Sequence, residues 1–272
     1  MNAVAAPSIT NAEFARFQAL IYKLAGISLS DAKKVLLVGR LSKRLKAHEL
    51  DTFTEYYKLV TSPGGADESQ SMVDLLTTNE TYFFREEKHF EYLSAKVLAQ
   101  HPAGRPFDIW SAACSTGEEV YTLAMVLAEK LGLHAPWTIT GSDISTVVLE
   151  KAQRAQYPME RARGTPTELL RKYCLKGVRD DAGTFLISQP LRKHIRFMQV
   201  NLNVALPEVG SFDVIFLRNV MIYFDPETKR AVVARLITKL KQGGYFIVGH
   251  AESLHGITEA LQPVQATIYR KP

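Results

Sequence analysis

Residues 107–125 have the sequence FDIWSAACSTGEEVYTLAM, an apolar run followed by small residues and then by an amphipathic pattern. The apolar run is typical of a buried strand, and the spacing of apolar positions from Val120 to Leu127 is typical of a helix. Because small residues allow close approach and a helix start offers free N–H groups, the stretch predicts a site for a nucleotide-like ligand. Glu118 and Glu119 would repel a pyrophosphate, so they favour a ligand with hydroxyls or a cationic centre. An ordinary turn between strand and helix is the alternative.

The composition is that of a globular protein: 272 residues, 46% hydrophobic and 22% charged. We expect two domains. No apolar run approaches the roughly 20 residues that span a bilayer, and residues 1–7 resemble a frayed tail more than a signal peptide. Two cysteines, Cys114 and Cys174, favour a reducing compartment over a disulfide framework, so we predict a cytoplasmic protein. The net charge of +5 permits an acidic partner without choosing among nucleic acid, membrane surface and protein.

The first 76 residues show helical patterns that indicate a small bundle. The second helix is predicted over residues 31–48, and its basic side chains fall on one side of it. This basic stripe consists of Lys33, Arg40, Lys43 and Arg44. No acidic residue lies between Asp31 and Glu49, so ion pairs within the helix do not account for the stripe. A docking face and a solvated helix face both fit this pattern.

Residues 77–85, TTNETYFFR, form a polar and aromatic segment between the bundle and a helix predicted over residues 86–99. Ligands often bind where domains meet, so this segment is a candidate for closing over a cofactor. The alternative is a capped helix start with aromatic residues in the core.

Residues 137–143, WTITGSD, predict a second strand that ends in an acidic residue. In nucleotide-binding α/β folds, an acid at the end of the second strand holds the ribose hydroxyls. Asp143 is therefore the best single candidate for cofactor binding. The alternative, that it is the N-cap of the following helix, is compatible with that role.

Between residues 161 and 199 the patterns weaken. Residues 185–188 and 195–200 look like strands around a turn, which predicts an inserted antiparallel piece before the chain returns to the main sheet at Ile195. Asn201 and Leu202 follow, where a loop could contact an adenine.

Residues 212–224, FDVIFLRNVMIYF, contain a continuous apolar run that leads into Arg218 and Asn219, as expected of a central parallel strand. A helix is predicted from Asp225 to Gly243, followed by strands over residues 245–248 and 267–270. Strands that alternate with helices predict a doubly wound α/β sheet.

Three separated motifs together resemble the chemotaxis receptor glutamate O-methyltransferase family, CheR. They are residues 111–119 (SAACSTGEE), residues 77–85 (TTNETYFFR) and residues 218–224 (RNVMIYF). The resemblance implies an S-adenosylmethionine-dependent methyltransferase sheet with a small N-terminal helical domain. It divides the chain into a receptor-docking domain at 1–76 and a methyltransferase domain at 77–272, with a small antiparallel β-subdomain near 175–195.

The resemblance also implies which residues surround the cofactor. These are Asn79, Thr81, Arg85, Glu119, Asp143, Asn201, Leu202, Arg218 and Asn219. Asp143 suits the ribose hydroxyls, Arg85 suits the carboxylate of the methionine part, and Glu119 suits its amino group or a nearby water.

The implied reaction moves a methyl group from S-adenosylmethionine to a receptor glutamate and leaves a glutamate methyl ester and S-adenosylhomocysteine. A glutamate is already ionised at pH 7, so catalysis needs positioning more than a strong base. The resemblance places Tyr223 near the reacting methyl group and lets Arg85 orient the incoming carboxylate. Tyr223 as an ordinary core aromatic is the alternative. No metal is expected.

The implied partner is the acidic helical methylation region of chemoreceptors, which the basic stripe would steer and hold. A receptor C-terminal tail on the β-subdomain is a further possible partner, whereas nucleic acid and direct membrane insertion are not expected. A nucleic-acid methyltransferase is disfavoured because residues 219–222 contain no proline, and a dinucleotide-dependent oxidoreductase because the loop after residue 111 has a single glycine. A non-catalytic cofactor-binding signalling module of the same fold is the remaining alternative.

Overall fold

A computed structural model describes residues 8–272, and the predicted tail at residues 1–7 lies outside the described part. The chain divides into two compact units. The helical unit holds the described residues up to Thr78 together with Tyr223–Thr228, and the sheet unit holds Asn79–Ile222 and Lys229–Pro272. The sequence places its domain boundary after residue 76, and no pattern in it predicts that Tyr223–Thr228 group with the helices. Within residues 8–272, no helix has both the length and the apolar character needed to cross a membrane.

The sheet unit is built from strands that alternate with helices. Its described strands are β1 (Phe107–Ser111), β2 (Trp137–Asp143), β3 (Gln156–Pro158), β4 (Cys174–Lys176), β5 (Thr184–Ile187), β6 (Ile195–Gln199), β7 (Phe212–Leu217), β8 (Leu240–Val248), β9 (Gln262–Gln265) and β10 (Ile268–Arg270). The helical unit contributes α1 (Asn11–Ala25), α2 (Lys34–Ala47), α3 (Phe53–Thr61) and α4 (Ala66–Leu76). The later helices are α5 (Lys88–Tyr92), α6 (Glu118–Leu131), α7 (Thr146–Arg154), α8 (Thr167–Tyr173), α9 (Gln189–Arg192) and α10 (Pro226–Ile237).

Seven strands form the main sheet in the order β6-β2-β1-β7-β8-β10-β9. The first five are parallel, and β10 and β9 are antiparallel to their neighbours. The predicted doubly wound α/β sheet is confirmed. Ile109 on β1 and Ile215 on β7 are fully buried, as expected of central strands covered on both faces. The strand order reverses between β1 and β7, which is where ligands bind in open α/β sheets, beyond the carboxyl ends of the strands.

A second, three-stranded antiparallel sheet has the order β3-β5-β4. The predicted β-subdomain near residues 175–195 overlaps this small sheet, but the sheet begins at Gln156 and ends at Ile187. Residues 195–199 form β6 of the main sheet, where Ile195 pairs with Ile139, so the predicted return to the main sheet at Ile195 is confirmed. Three-residue strands such as β3 and β4 are too short to show an alternating pattern, so the sequence could not predict their ends.

The predicted end of the last long helix at Gly243 is wrong. Helix α10 ends at Ile237 and β8 begins at Leu240, three residues before Gly243. The register of β8 against β7 is irregular between Phe212 and Val214, and Gly243 has a φ of 74°. A glycine in the left-handed region is typical of a helix end but also of an irregular strand, so the residue type alone was ambiguous.

Helices α1 and α3 of the helical unit both begin with capping boxes, formed by Thr10 with Glu13 and by Thr52 with Glu55. A short 3-10 turn at Asp31–Lys33 precedes α2, so the predicted helix over residues 31–48 is regular only from Lys34 to Ala47.

A buried carboxylate joins three helices of the helical unit. Glu68 on α4 is 7% exposed and accepts hydrogen bonds from Arg44 Nε on α2 at 2.8 Å and from the Tyr56 hydroxyl on α3 at 2.7 Å. His48 Nε2 lies 2.8 Å from its other oxygen. Burial raises the pKa of Glu68, but the hydrogen bonds from Arg44, Tyr56 and His48 outweigh it and lower the pKa to about 2. The stabilisation from Glu68 is therefore present above its unfolded pKa of about 4.3 and is lost as the pH falls toward the folded value.

We expect Arg44→Met to destabilise the helical unit, because it leaves the buried Glu68 carboxylate without its guanidinium. Since Arg44 is itself partly exposed, the expected loss is about 2 kcal/mol, or roughly 30-fold faster amide exchange in α2 and α4 at pH 7. Hydrogen exchange followed by mass spectrometry measures this. Lys43→Met, on the exposed neighbouring position, is the matched control. Equal exchange rates in the two variants would contradict a structural role for Arg44.

Candidate cofactor site

The loop after β1 is held against the end of β2. The Cys114 N–H donates to the Ser142 carbonyl at 2.8 Å, and Ser115 adopts a left-handed φ of 49°. Gly117, with a φ of 93°, leads into α6, and a Cβ at this position would lie 2.9 Å from Ala152 Cβ and 3.0 Å from the Tyr157 hydroxyl. The single glycine of the loop is therefore required by both its conformation and its packing.

Asp143 lies at the carboxyl end of β2 beside this loop and is 7% exposed. One carboxylate oxygen accepts the Ser115 N–H at 2.9 Å and the other accepts the Ser145 N–H at 3.0 Å. The N-cap residue of α7 is Ser145, so the alternative that Asp143 is the N-cap is wrong. Asp143 instead accepts the N–H of the cap residue. The position is the one at which α/β folds bind ribose hydroxyls.

A buried arginine after β7 links the start of α6 to the segment before α5. The Arg218 side chain, which follows β7, is 2% exposed; its Nη1 donates to Glu119 Oε2 at 2.7 Å and its Nη2 to Glu86 Oε2 at 2.9 Å. It also donates to the Arg85 carbonyl. Ser111 Oγ completes the arrangement by donating to Glu119 Oε1 at 2.7 Å. A buried guanidinium needs such partners, so Arg218 fixes where the three segments lie.

Asn219, the next residue, is also tightly held and adopts a left-handed φ of 59°. Its N–H donates to Glu252 Oε2 at 2.8 Å and its side chain donates to Glu86 Oε1 at 3.0 Å. A Cβ at Gly249 would lie 2.5 Å from the Asn219 amide nitrogen Nδ2, so glycine is required there. Burial raises the pKa of Glu86, but the hydrogen bond from Asn219 and the charge of Arg218 lower it to about 2.

The polar and aromatic segment is held by side chains, since its first residues belong to no helix or strand. Ser115 Oγ donates to the Asn79 carbonyl at 2.8 Å, and Thr122 Oγ1 accepts the Phe84 N–H at 3.1 Å. Arg85 Nη1 donates to the Glu80 carbonyl at 2.7 Å. Phe84 and Glu86 adopt left-handed φ angles of 58° and 60°. Such strained backbone persists where surrounding contacts impose it, often at functional sites.

Asn201 and Leu202 lie just beyond the end of β6. Asn201 Oδ1 accepts the Asn203 N–H at 2.9 Å. Leu202 is 7% exposed, and its carbonyl accepts a hydrogen bond from Arg235 at 3.0 Å. Both residues are thus ordered at the same edge of the sheet as Asp143, because β2 and β6 are parallel neighbours.

The predicted cofactor residues fall into groups joined by direct contacts. Ser115 links Asn79 to Asp143, and Arg218 contacts both Glu119 and Arg85. Sequence reasoning did not identify Glu86 or Glu252. Glu86 directly follows the predicted segment, whereas no local pattern marks Glu252.

Two other sets of predicted residues belong to the helical unit. Tyr223 groups with that unit, where its carbonyl accepts the Ser28 N–H at 2.8 Å. Within the basic stripe, Lys33 and Lys43 are exposed. Arg40 donates to the carbonyls of Leu76 and Thr77, both at 3.0 Å, and Arg44 binds Glu68. The arginines of the stripe therefore have structural contacts as well as charge.

Glu86, His89 and His250 bring three potential metal ligands within 4.8 Å of one another. Burial and the charge of Arg218 lower the pKa of His89 to about 4, so its ring is neutral at pH 7. However, Glu86 Oε2 already accepts hydrogen bonds from Arg218 and from the His250 N–H at 3.1 Å. A metal ion would meet the guanidinium charge, which disfavours this group as a metal site.

The residues present fit a cofactor with hydroxyl and cationic groups. Carboxylates of Asp143 and Glu119 line the carboxyl edge, and the backbone approaches closely at Gly117 and Gly249. Glu252 Oε1 is a buried carboxylate oxygen with no hydrogen-bond partner. These features are typical of an α/β protein whose nucleoside-containing cofactor binds at the switch point of its sheet.

Comparison with known families and proteins specifies that class. Residues 79–270 match the family described as "CheR methyltransferase, SAM binding domain", and residues 12–77 match "CheR methyltransferase, all-alpha domain". Chemotaxis protein methyltransferase 2 of Pseudomonas aeruginosa is 40% identical over 263 residues, covering 96% of this chain and 93% of its own length. Chemotaxis protein methyltransferase of Escherichia coli is 38% identical over 267 residues, covering 96% of this chain and 91% of its own length.

The chain belongs to the CheR methyltransferase family. The resemblance seen in the three sequence motifs is thereby confirmed. The methyltransferase fold, S-adenosylmethionine as the cofactor and a methyl-transfer role in chemotaxis are confirmed with it.

We expect Asp143→Ala to weaken binding of S-adenosylhomocysteine by about 10- to 100-fold, because charge-assisted hydrogen bonds contribute about 1.5–3 kcal/mol. Isothermal titration calorimetry measures the change. Asp143→Asn keeps an oxygen for one loop N–H and should fall between alanine and wild type. Asp180→Ala, an exposed aspartate in the turn before β5, is the control. An unchanged affinity in Asp143→Ala would rule out the ribose assignment.

Proposed function

We propose that this protein transfers a methyl group from S-adenosylmethionine to glutamate side chains of chemoreceptors, giving glutamate methyl esters and S-adenosylhomocysteine. The observation that supports this most strongly is the matching of both parts of the chain, in order, to the two CheR domain families. The relatives named chemotaxis protein methyltransferase match over 96% of the chain, which supports the same substrate class. The free thiols of Cys114 and Cys174 suit a reducing cytoplasm, where we place the reaction.

The bound cofactor supplies an electrophilic methyl group, so the protein's own task is positioning. A receptor glutamate is ionised at neutral pH, and no residue has to remove a proton from it. We assign the ribose hydroxyls to Asp143 and the amino group of the methionine part to Glu119. Arg85 is a half-buried residue, and its guanidinium suits either the cofactor carboxylate or the incoming glutamate.

The remaining assignments are proposals of the same kind. Besides Asp143, Glu119 and Arg85, six further residues are proposed to surround the cofactor: Asn79, Thr81, Asn201, Leu202, Arg218 and Asn219. Arg218 already neutralises Glu86 and Glu119 at 2.9 and 2.7 Å, so we give it the role of holding those carboxylates. We place Tyr223 near the reacting methyl group, as the family resemblance implies.

The basic stripe is our proposed docking site for the acidic methylation helices of receptors. Because Arg40 and Arg44 also make internal contacts, the exposed Lys33 and Lys43 are the cleaner test of docking. Their charges are expected to steer encounter more than to set affinity. Binding of a receptor C-terminal tail to the small sheet is a further proposal, supported by the exposed Leu175 on strand β4.

The proposed reaction is tested by transfer of labelled methyl from S-adenosylmethionine to receptor-containing membranes. We expect label on the receptor that mild alkali releases as volatile methanol, because carboxyl methyl esters are labile to base. Receptor whose methylated glutamates are replaced by alanine is the control. Alkali-resistant label would instead indicate N-methylation. Cofactor binding without any transfer would support the non-catalytic signalling module.

Docking through the stripe is tested by Lys33→Glu/Lys43→Glu. We expect kcat/KM for receptor to fall about tenfold at low salt, and the difference from wild type to shrink in high salt as the charges are screened. S-adenosylhomocysteine affinity should not change. Lys96→Glu/Lys130→Glu, which makes the same charge change on exposed sites of the sheet unit, is the control. An equal loss in both double variants would mean that only net charge matters.

A further inference from the structure

Within the polar and aromatic segment, four backbone carbonyls of residues 79–85 accept hydrogen bonds from side chains. The acceptors are the carbonyls of residues 79, 80, 81 and 85, and the donors are Ser115, Arg85, Arg161 and Arg218 respectively. Three donors come from the candidate cofactor site or from the segment itself. Arg161 comes from the turn after β3 of the small sheet. We propose that Arg161 is a positioning residue, which holds the segment in the conformation that binds S-adenosylmethionine.

The contact of Arg161 with the segment is direct. Its Nη1 donates to the Thr81 carbonyl at 2.7 Å, and Thr81 itself is 9% exposed. A buried carbonyl that loses its donor is left unsatisfied unless the backbone moves toward water. Removing Arg161 should therefore loosen the segment at Thr81, between the proposed cofactor residues Asn79 and Arg85. The inference rests on that proposed assignment.

The same guanidinium also faces a buried charge. Glu118 Oε1 lies 3.5 Å from Arg161 Nη1, and the Glu118 side chain is 1% exposed at the start of α6. Thr116 Oγ1 donates to its other oxygen at 2.5 Å. Burial raises the pKa of Glu118 while Arg161 opposes that rise. Arg161 thus connects the segment to the loop and helix that carry the other half of the site.

The small sheet, which precedes and follows Arg161 in the chain, packs against the segment through aromatic side chains. Phe83, which is fully buried, has its ring 5.1 Å from that of Tyr157 on β3 and 5.5 Å from that of Phe185 on β5. The Tyr157 hydroxyl donates to the Thr116 carbonyl at 2.7 Å. The small sheet therefore contacts both the segment and the loop after β1. Arg161 adds polar contacts from the small sheet to Thr81 of the segment and to Glu118 of α6.

Lysine should replace Arg161 only in part. Arg161 reaches the Thr81 carbonyl and the Glu118 carboxylate through one nitrogen, Nη1, which the planar guanidinium holds in a fixed position. An ammonium is instead a single point of charge on a more flexible stem. Arg161→Lys keeps the positive charge without the fixed plane, so it separates the carbonyl contact from simple neutralisation of Glu118.

The test is calorimetric binding of S-adenosylhomocysteine to the full chain, which needs no receptor. We expect Arg161→Gln to bind about tenfold more weakly than wild type, Arg161→Lys to lie between them, and Arg163→Gln, an exposed arginine two residues on, to match wild type. In turnover, KM for S-adenosylmethionine should rise while kcat changes little. Adding Glu118→Gln to Arg161→Gln should recover part of the affinity, since the buried charge is then gone.

The outcomes distinguish failure of the positioning role of Arg161 from failure of the proposed cofactor site. If wild type binds and Asp143→Ala loses affinity while Arg161→Gln binds like wild type, the positioning role is refuted and the cofactor site stands. If Arg161→Gln lowers kcat and receptor affinity without changing the cofactor KM, the residue acts elsewhere and the inference is also refuted. If wild type itself does not bind S-adenosylhomocysteine, the proposed function fails first.

Discussion

The candidate site depends on the buried ion pairs that Arg218 makes with Glu86 and Glu119. Arg218 lies between Glu86 and Glu119 at 2.9 and 2.7 Å with only 2% of its side chain exposed. Removing Arg218 would leave the Glu86 and Glu119 carboxylates without their guanidinium, and breaking a buried ion pair in this way costs about 3–5 kcal/mol in proteins. The end of β7, the start of α6 and the segment before α5 must therefore come together. Asn219 and Glu252 extend the same network by fixing the loop after β7.

The charges at this edge of the sheet fit the cofactor that we propose it binds. Parallel strands β1, β2, β6 and β7 bring their carboxyl ends together, and those ends carry Asp143 and Glu119 instead of the glycine-rich loop that a pyrophosphate needs. Carboxylates at a helix start suit hydroxyls and a cationic centre. S-adenosylmethionine has both, which agrees with the family to which the chain belongs.

Local sequence patterns predicted the strands and the acidic residue of this site. The contacts between residues far apart in the chain became visible only in the structure. The apolar runs of β1 and β7 and the acid ending β2 are visible in the sequence, because burial and strand ends leave local signals. The sequence does not show that Arg218 pairs with Glu86 or that Asn219 contacts Glu252. Each contact joins residues more than 30 positions apart, and local patterns carry no signal of it. For the same reason the stripe predicted to be a docking face includes Arg44, whose partner Glu68 lies on another helix.

The most direct test of the site is a crystal structure of the protein with S-adenosylhomocysteine. The account predicts that the ribose hydroxyls lie within hydrogen-bond distance of the Asp143 carboxylate, and that the methionine part lies on the side of Glu119 and Arg85. The segment from residue 79 to residue 85 should cover the ligand with its carbonyls still held by side chains. A nucleoside bound away from the carboxyl ends of the strands, with Asp143 still bonded only to the loop, would contradict it.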